Sequence, residues 1–144
     1  MLTTNQKGAI AETAVAHEAI KLGVGVLRPL SDMRYDLVLD TGDRLIRVQC
    51  KWATRYGDVI VARLYGNRRA RAGLRRSFYT PTEIDAFALY CADVHRCYFL
   101  PIDELDGRYT LQLRLSPPRN NQRALVRWAS DFELGARLTG VLGP

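Results

Sequence analysis

Within RLIRVQCKW, residues 44 to 52, apolar and polar residues alternate one for one from Ile46 to Trp52. Ile46, Val48, Cys50 and Trp52 stand against Arg47, Gln49 and Lys51. A period of two marks a β-strand with one face turned to a core. YDLVLD, residues 35 to 40, is a second strand, and a turn separates the two. Two-residue hairpin loops favour types I′ and II′, and II′ takes Gly first, so Gly42-Asp43 fits the tip. The competing tip, Thr41-Gly42, would hold a β-branched residue at positive φ. With Gly42-Asp43 at the tip, Thr41 faces Arg44 and partner numbers sum to 85. Asp36 is then expected directly opposite Gln49, with Cβ atoms about 4.5–5.5 Å apart. Lys51 follows on the face of Gln49.

The same reading covers the rest of the chain. Residues 6 to 22 form an amphipathic helix capped by Asn5 and ended by Gly23. VGVLRP is a short strand stopped by Pro29, and GDVIVARLY is a strand after the hairpin. An Arg-rich loop follows, then TPTEI as a turn or short helical piece. DAFALYC and RCYFLPI are strands joined through ADVH, and YTLQLRL is a late strand. SPPRNNQ is a loop, and RALVRWASDFEL holds one or two short helices. A leading helix, a meandering sheet and small closing helices predict one α/β domain over residues 1–144, with a mixed sheet.

Composition narrows the class. The 144 residues are 47% apolar and 25% charged, as in an ordinary globule. No apolar run is long enough to span a membrane, and the start lacks the pattern of a signal peptide. Cys50, Cys91 and Cys97 fall in apolar runs with no CxxC pair. They are expected to be buried free thiols in a reducing compartment, the cytoplasm. The net charge of +6 is unevenly placed. Residues 55 to 76 hold seven Arg against one Asp, and the remainder is balanced. Such a segment is a polyanion site, a contact for an acidic protein, or a solvated surface loop. Arg in place of Lys favours phosphate, whose oxygens accept the paired donors of a guanidinium.

Asp36, Gln49 and Lys51 admit two readings: a cross-strand polar cluster at a sheet edge, or a site. As a site, an Asp oxygen, a Gln carbonyl and the backbone carbonyl of Cys50 are hard donors suited to Mg²⁺ or Mn²⁺. Glu12 bears on the choice. Its helix neighbours Gly8, Ala9, Val15 and Ala16 are small or apolar. A carboxylate there is costly without a partner, unless it sits at the solvent margin of the helix. Small neighbours would let the helix approach the sheet and bring Glu12 to Asp36.

Glu12 on the first helix, Asp36, and Gln49-x-Lys51 on the next strand resemble the PD-(D/E)XK nuclease superfamily. The Q-x-K form, with RYDLVLD before it, is similar to small endonucleases encoded in group I introns. The likeness runs through KGAIAE, RYDLVLD, RVQCKW, EIDAFALYC, NNQ and RWASDFEL. It departs at Tyr35, where the family has Pro, and at Gln49, which replaces a second acid and removes a negative charge from the metal site. The resemblance implies a restriction-endonuclease-like core and a metal-dependent endonuclease acting on double-stranded DNA, a site-specific homing enzyme in kind. It implies a homodimer or homotetramer, since one small site cuts one strand. Asp36, Gln49 and the Cys50 carbonyl would bind Mg²⁺ (or Mn²⁺), Glu12 would hold the ion or its water, and Lys51 would position the attacking water. Arg63, Arg68, Arg69, Arg71, Arg75 and Arg76 would contact phosphates and guanine edges. Asn120, Asn121 and Gln122 would read bases, or cap their own loop. A junction-resolving or repair nuclease with this core, and a catalytically silent nucleic-acid binder, are the alternatives.

Overall fold

The computed structural model describes residues 1–105, 107, 109–117 and 126–142, with the backbone alone for 68, 69 and 139–142. Helix α1 spans Thr4–Lys21. Its cap is Thr3, not Asn5. The Thr3 side chain accepts from the Gln6 N–H at 3.1 Å, and the Gln6 side chain accepts from the Thr3 N–H at 2.8 Å. This reciprocal Thr-x-x-Gln box satisfies two otherwise free amides, which one Asn side chain would not. The helix ends at Gly23, whose φ of 80° suits a residue without a side chain.

Seven strands form one mixed sheet: β1 (Gly25–Leu27), β2 (Leu37–Asp40), β3 (Leu45–Tyr56), β4 (Val59–Arg63), β7 (Ala86–Cys91), β8 (Arg96–Pro101) and β9 (Thr110–Arg114). Among these strands β3 and β7 pair parallel and the other described pairings are antiparallel. The β2–β3 register matches the turn argument, with Leu37 opposite Val48 and Asp40 opposite Leu45. Gly42 sits at φ 91°, and the Thr41 N–H donates to Arg44 O at 3.1 Å across the tip.

Alternation along β3, β7 and β8 splits the core between the two faces of the sheet. Val48, Cys50, Ala86, Ala88 and Phe99 pack under α1 and the closing helix α2 (Leu134–Leu142). Ala53, Phe87, Leu89, Tyr98 and Leu100 fill the opposite face with β4 and β9. The central strand β7 is buried on both sides, so AFALYC reads as a continuous apolar run. Ala86 and Ala88, both wholly buried, take little space below Ala11, Val15 and Ala19 of α1. Each large core side chain, such as Leu37 or Leu100, contributes about 1.5–3 kcal/mol through burial. The C-terminal region holds a 3-10 turn, Ala129–Phe132, before α2, in keeping with the short helices expected there.

The Arg-rich segment is not a loop. It forms an antiparallel hairpin, β5 (Tyr65–Ala70) and β6 (Gly73–Phe78), separate from the main sheet. Both its faces are largely exposed, so no apolar alternation betrays it in the sequence. An aromatic group anchors its base. Phe78 stacks on Tyr109 at 4.5 Å and meets Tyr65 edge-on at 6.1 Å between ring centres. No helix among the described residues is long and apolar enough to cross a membrane.

Candidate active site

β3 is long enough to serve two partners along one edge. β7 occupies its other edge from Val48 to Ala53. β2 therefore pairs with residues 45–48 and β4 with residues 53–56 on the same side. Between them, no strand among the described residues pairs with the edge from Gln49 to Trp52. The expected cross-strand pairing of Asp36 with Gln49 does not occur, because the ladder stops at Leu37–Val48. The Asp36 N–H instead donates to Val48 O at 2.9 Å, and the Cys50 N–H donates to Asp36 Oδ2 at 2.9 Å. The carboxylate thus takes the place of the carbonyl that a continuing strand would have offered. The N–H and C=O of one strand residue point to the same side. The Cys50 carbonyl consequently faces the gap as well.

A cavity of about 570 Å³ opens here, lined by Glu12, Asp36, Gln49, Cys50 and Lys51. Four dispersed sequence positions are brought together, as the expectation required, but from two faces of the sheet. Gln49 and Lys51 lie on the β4–β9 face, opposite Val48 and Cys50. Glu12 comes from α1 on the other face, and Asp36 lies at the strand end between them. Gly8 also lines this cavity. It does not serve close packing, since a Cβ built on it meets nothing within 4 Å.

Burial pushes the Asp36 carboxyl above its ordinary range. The Cys50 N–H, Lys51 and Arg28 oppose the shift, and the neighbouring Glu12 adds to it. Burial also pulls Lys51 below its ordinary range, with Asp36 opposing and Arg34 assisting. The Lys51 ammonium donates to Tyr65 O at 3.1 Å and lies 5.3 Å from the Tyr79 ring centre. Burial raises the Cys50 thiol beyond any useful acidity, so this residue contributes its backbone and not its sulfur.

Gln49 Oε1 is buried and has no hydrogen-bond partner among the described residues. Such an acceptor is costly unless something fills it. A divalent cation fits it: with Asp36, Glu12 and the Cys50 carbonyl, the surrounding donors are all oxygen. Two of these donors are amide oxygens, so a cluster of three or more His, Cys, Asp or Glu side chains is absent among the described residues.

Two neighbours, Arg28 and Arg34, escaped the sequence reading, and Tyr79 beside them was expected only as a possible DNA contact. Arg28 donates to Glu12 through Nε at 3.1 Å and through Nη2. Arg34 lies 4.1 Å from the Tyr79 ring centre and donates to Phe78 O at 3.0 Å. Tyr79 is half-buried edge-on against Phe87, and thereby carries two cations beside the site. No local motif marks these residues, because each acts across a fold contact.

Arg63 lines the cavity at the end of β4. Arg71, Arg75 and Arg76 are exposed on the hairpin, and Arg76 stacks 4.6 Å from the Tyr65 ring centre. Arg68 and Arg69 belong to β5 by backbone, opposite Arg75 and Leu74. Asn120, Asn121 and Gln122 lie outside the described residues.

Comparisons with known proteins bear on the chain as a whole. A family described as PD-(D/E)XK endonuclease matches residues 2–135. The solved structure of a bacterial homing endonuclease, I-Ssp6803I, is similar at 27% sequence identity and a TM-score of 0.74. The match covers 95% of this chain and 93% of that one. No curated protein matches.

Proposed function

The chain belongs to the PD-(D/E)XK endonuclease family, and on that premise we propose that it is a Mg²⁺-dependent enzyme cutting double-stranded DNA at a defined site, a homing endonuclease in kind. The observation that carries the reading is the gap in β3, where Asp36, Glu12 and Lys51 surround the unpartnered, buried Gln49 carbonyl oxygen. A structural polar cluster would have closed its own hydrogen bonds. The likeness to a bacterial homing endonuclease supports the narrower assignment.

The residues divide the work. Asp36, Gln49 through its carbonyl oxygen, the Cys50 carbonyl and Glu12 would hold the cation, Mg²⁺ or Mn²⁺. A bound divalent ion supplies Lewis acidity, lowering the pKa of a water and neutralising phosphate charge. Lys51 orients the attacking water and donates through Nζ to the charge that builds on the phosphate oxygens. The water oxygen bonds to phosphorus and its proton passes to solvent, while the P–O3′ bond breaks and O3′ takes up a proton from solvent, leaving a 5′-phosphate and a 3′-hydroxyl.

The hairpin sets the substrate. A two-stranded ribbon fits the major groove of B-DNA. Arg71, Arg75 and Arg76 then meet phosphates or guanine edges, while Arg63 meets the backbone near the scissile bond. One site cuts one strand, so a break in both requires a homodimer or a homotetramer.

Cleavage of a plasmid library carrying genomic inserts, in Mg²⁺ and in Mn²⁺, tests the proposal. Wild type should linearise or nick the members that carry the site, whereas Asp36→Ala and Lys51→Ala should bind DNA yet leave every member intact. Binding by wild type without cutting in either metal would reduce the chain to a silent DNA-binding module.

A further inference from the structure

Glu12 and Asp36 line two cavities, not one. Beyond them from the β3 gap lies a smaller cavity of about 260 Å³, bounded by Arg28, Pro29, Ser31, Asp32 and Tyr35. From this side Arg28 directs Nε and Nη2 onto a single oxygen, Oε1, of Glu12. The guanidinium makes no other hydrogen bond among the described residues. Its side chain is 66% exposed, against 23% for Glu12.

That geometry is unlike a guanidinium built to orient a carboxylate. A positioning Arg uses parallel donors on both oxygens and is itself held in place. Here both donors converge on one oxygen, and the remaining ones face solvent. The local charges explain why a cation stands there at all. Asp36 feels Glu12 as a repelling charge and Arg28 as an attracting one. Two acids brought to one spot need compensation when no metal ion is bound. Arg28 supplies it from the side away from the gap.

We propose that Arg28 is an exchangeable stand-in for the divalent ion: it neutralises Glu12 in the ion-free protein and transfers to a DNA phosphate when duplex docks. The proposal rests on the reading of Glu12 and Asp36 as ion-holding residues. A phosphate accepts the paired donors of a guanidinium that Glu12 engages through one oxygen only. Transfer frees Glu12 for the cation and removes a positive charge from its side. Binding of DNA and binding of metal therefore reinforce one another, and by linkage the effect is reciprocal. The device restrains loading of the ion until substrate is present.

Mn²⁺ binding by electron paramagnetic resonance tests this on the full chain, without reference to cleavage. Wild type, Arg28→Gln, Arg28→Lys and Asp36→Asn are titrated with and without a short duplex of arbitrary sequence, with the duplex alone subtracted. Without DNA, Arg28→Gln should bind Mn²⁺ about three- to fivefold more tightly than wild type, as removal of a part-exposed ion-pair partner suggests. Arg28→Lys keeps the charge and should follow wild type. Duplex should tighten Mn²⁺ binding in wild type and leave Arg28→Gln nearly unchanged. Equal or weaker binding by Arg28→Gln, or the same enhancement by duplex in both proteins, overturns the proposal. Failure of wild type to bind Mn²⁺, or unchanged binding by Asp36→Asn, instead overturns the underlying reading of the site, and the proposal falls with it.

Discussion

Gly8→Ala is the substitution whose consequences the structure separates most cleanly. Gly8 lies inside α1, as its fifth residue. Glycine in a helix interior costs about 1 kcal/mol relative to alanine, because more backbone freedom is lost on folding. The usual reason to keep it, close packing, does not apply, since the added Cβ meets no atom within 4 Å. The full propensity gain of ~1 kcal/mol should therefore appear as stability. For 144 residues the unfolding entropy near Tm is about 0.3 kcal/mol/K, which makes the expected rise in Tm about 3 °C. The same Cβ projects into the cavity that holds Glu12, Asp36 and Lys51. If DNA enters there, the methyl group stands where backbone must approach, and cleavage or duplex affinity should fall while stability rises. Calorimetry and plasmid cleavage on one preparation give both readings. A lower Tm would show that the space is already used in the folded protein. A higher Tm with unaltered DNA binding and cleavage would remove Gly8 from the substrate path.

Three further outcomes are expected. Burial raises the Asp36 pKa, so the folded state favours its neutral form, and ionised Asp36 costs stability. That cost is absent below the ordinary 3.8 and complete above the raised folded value. Urea unfolding across pH should show Asp36→Asn gaining on wild type as pH rises through this window, and a difference constant with pH would contradict the assignment. Asp85 accepts from Arg47 N at 2.8 Å, Nε at 3.1 Å and Nη2 at 3.0 Å where β7 begins, and the Arg47 contacts hold its carboxyl below the ordinary range. This stabilisation is present above 3.8 and is lost as pH falls through the lower folded value. Asp85→Asn should lower stability at neutral pH by about 1 kcal/mol, allowing for solvent exposure, and an unchanged urea midpoint would show the pair to be idle. The three free cysteines are buried, with Cys97 pushed up to about 12. A thiol reagent should label them only as the chain unfolds, and rapid labelling of the native protein would refute that packing.

Much of the site was legible before folding was considered. The Gly42-Asp43 tip follows from the φ requirement of a tight hairpin, and it set the β2–β3 register without reference to any distant residue. Alternation along β3 then put Gln49 and Lys51 on one face and Val48 and Cys50 on the other. Glu12 stood out because an acid among small and apolar helix neighbours needs a partner. The cap of α1 was misread because Asn5 is a good cap by type, while Thr3 and Gln6 satisfy two amides together. The Arg-rich hairpin stayed hidden because neither of its faces is buried, and binary patterning records only burial.

Residue order and local geometry thus decided the register of the central hairpin, the strand faces and the acid on the leading helix, since a turn, a period of two and a helical period act over a few bonds. Tertiary structure alone decided that β2 and β4 share one edge of β3. From that choice come the gap, the unpartnered Gln49 oxygen and the turn of Asp36 toward the Cys50 amide. It also decided that Arg28 meets Glu12, and that Lys51 rests on the root of the Arg-rich hairpin. Those contacts join segments whose spacing in sequence carries no signal, because strand order is selected by how two core faces are buried at once.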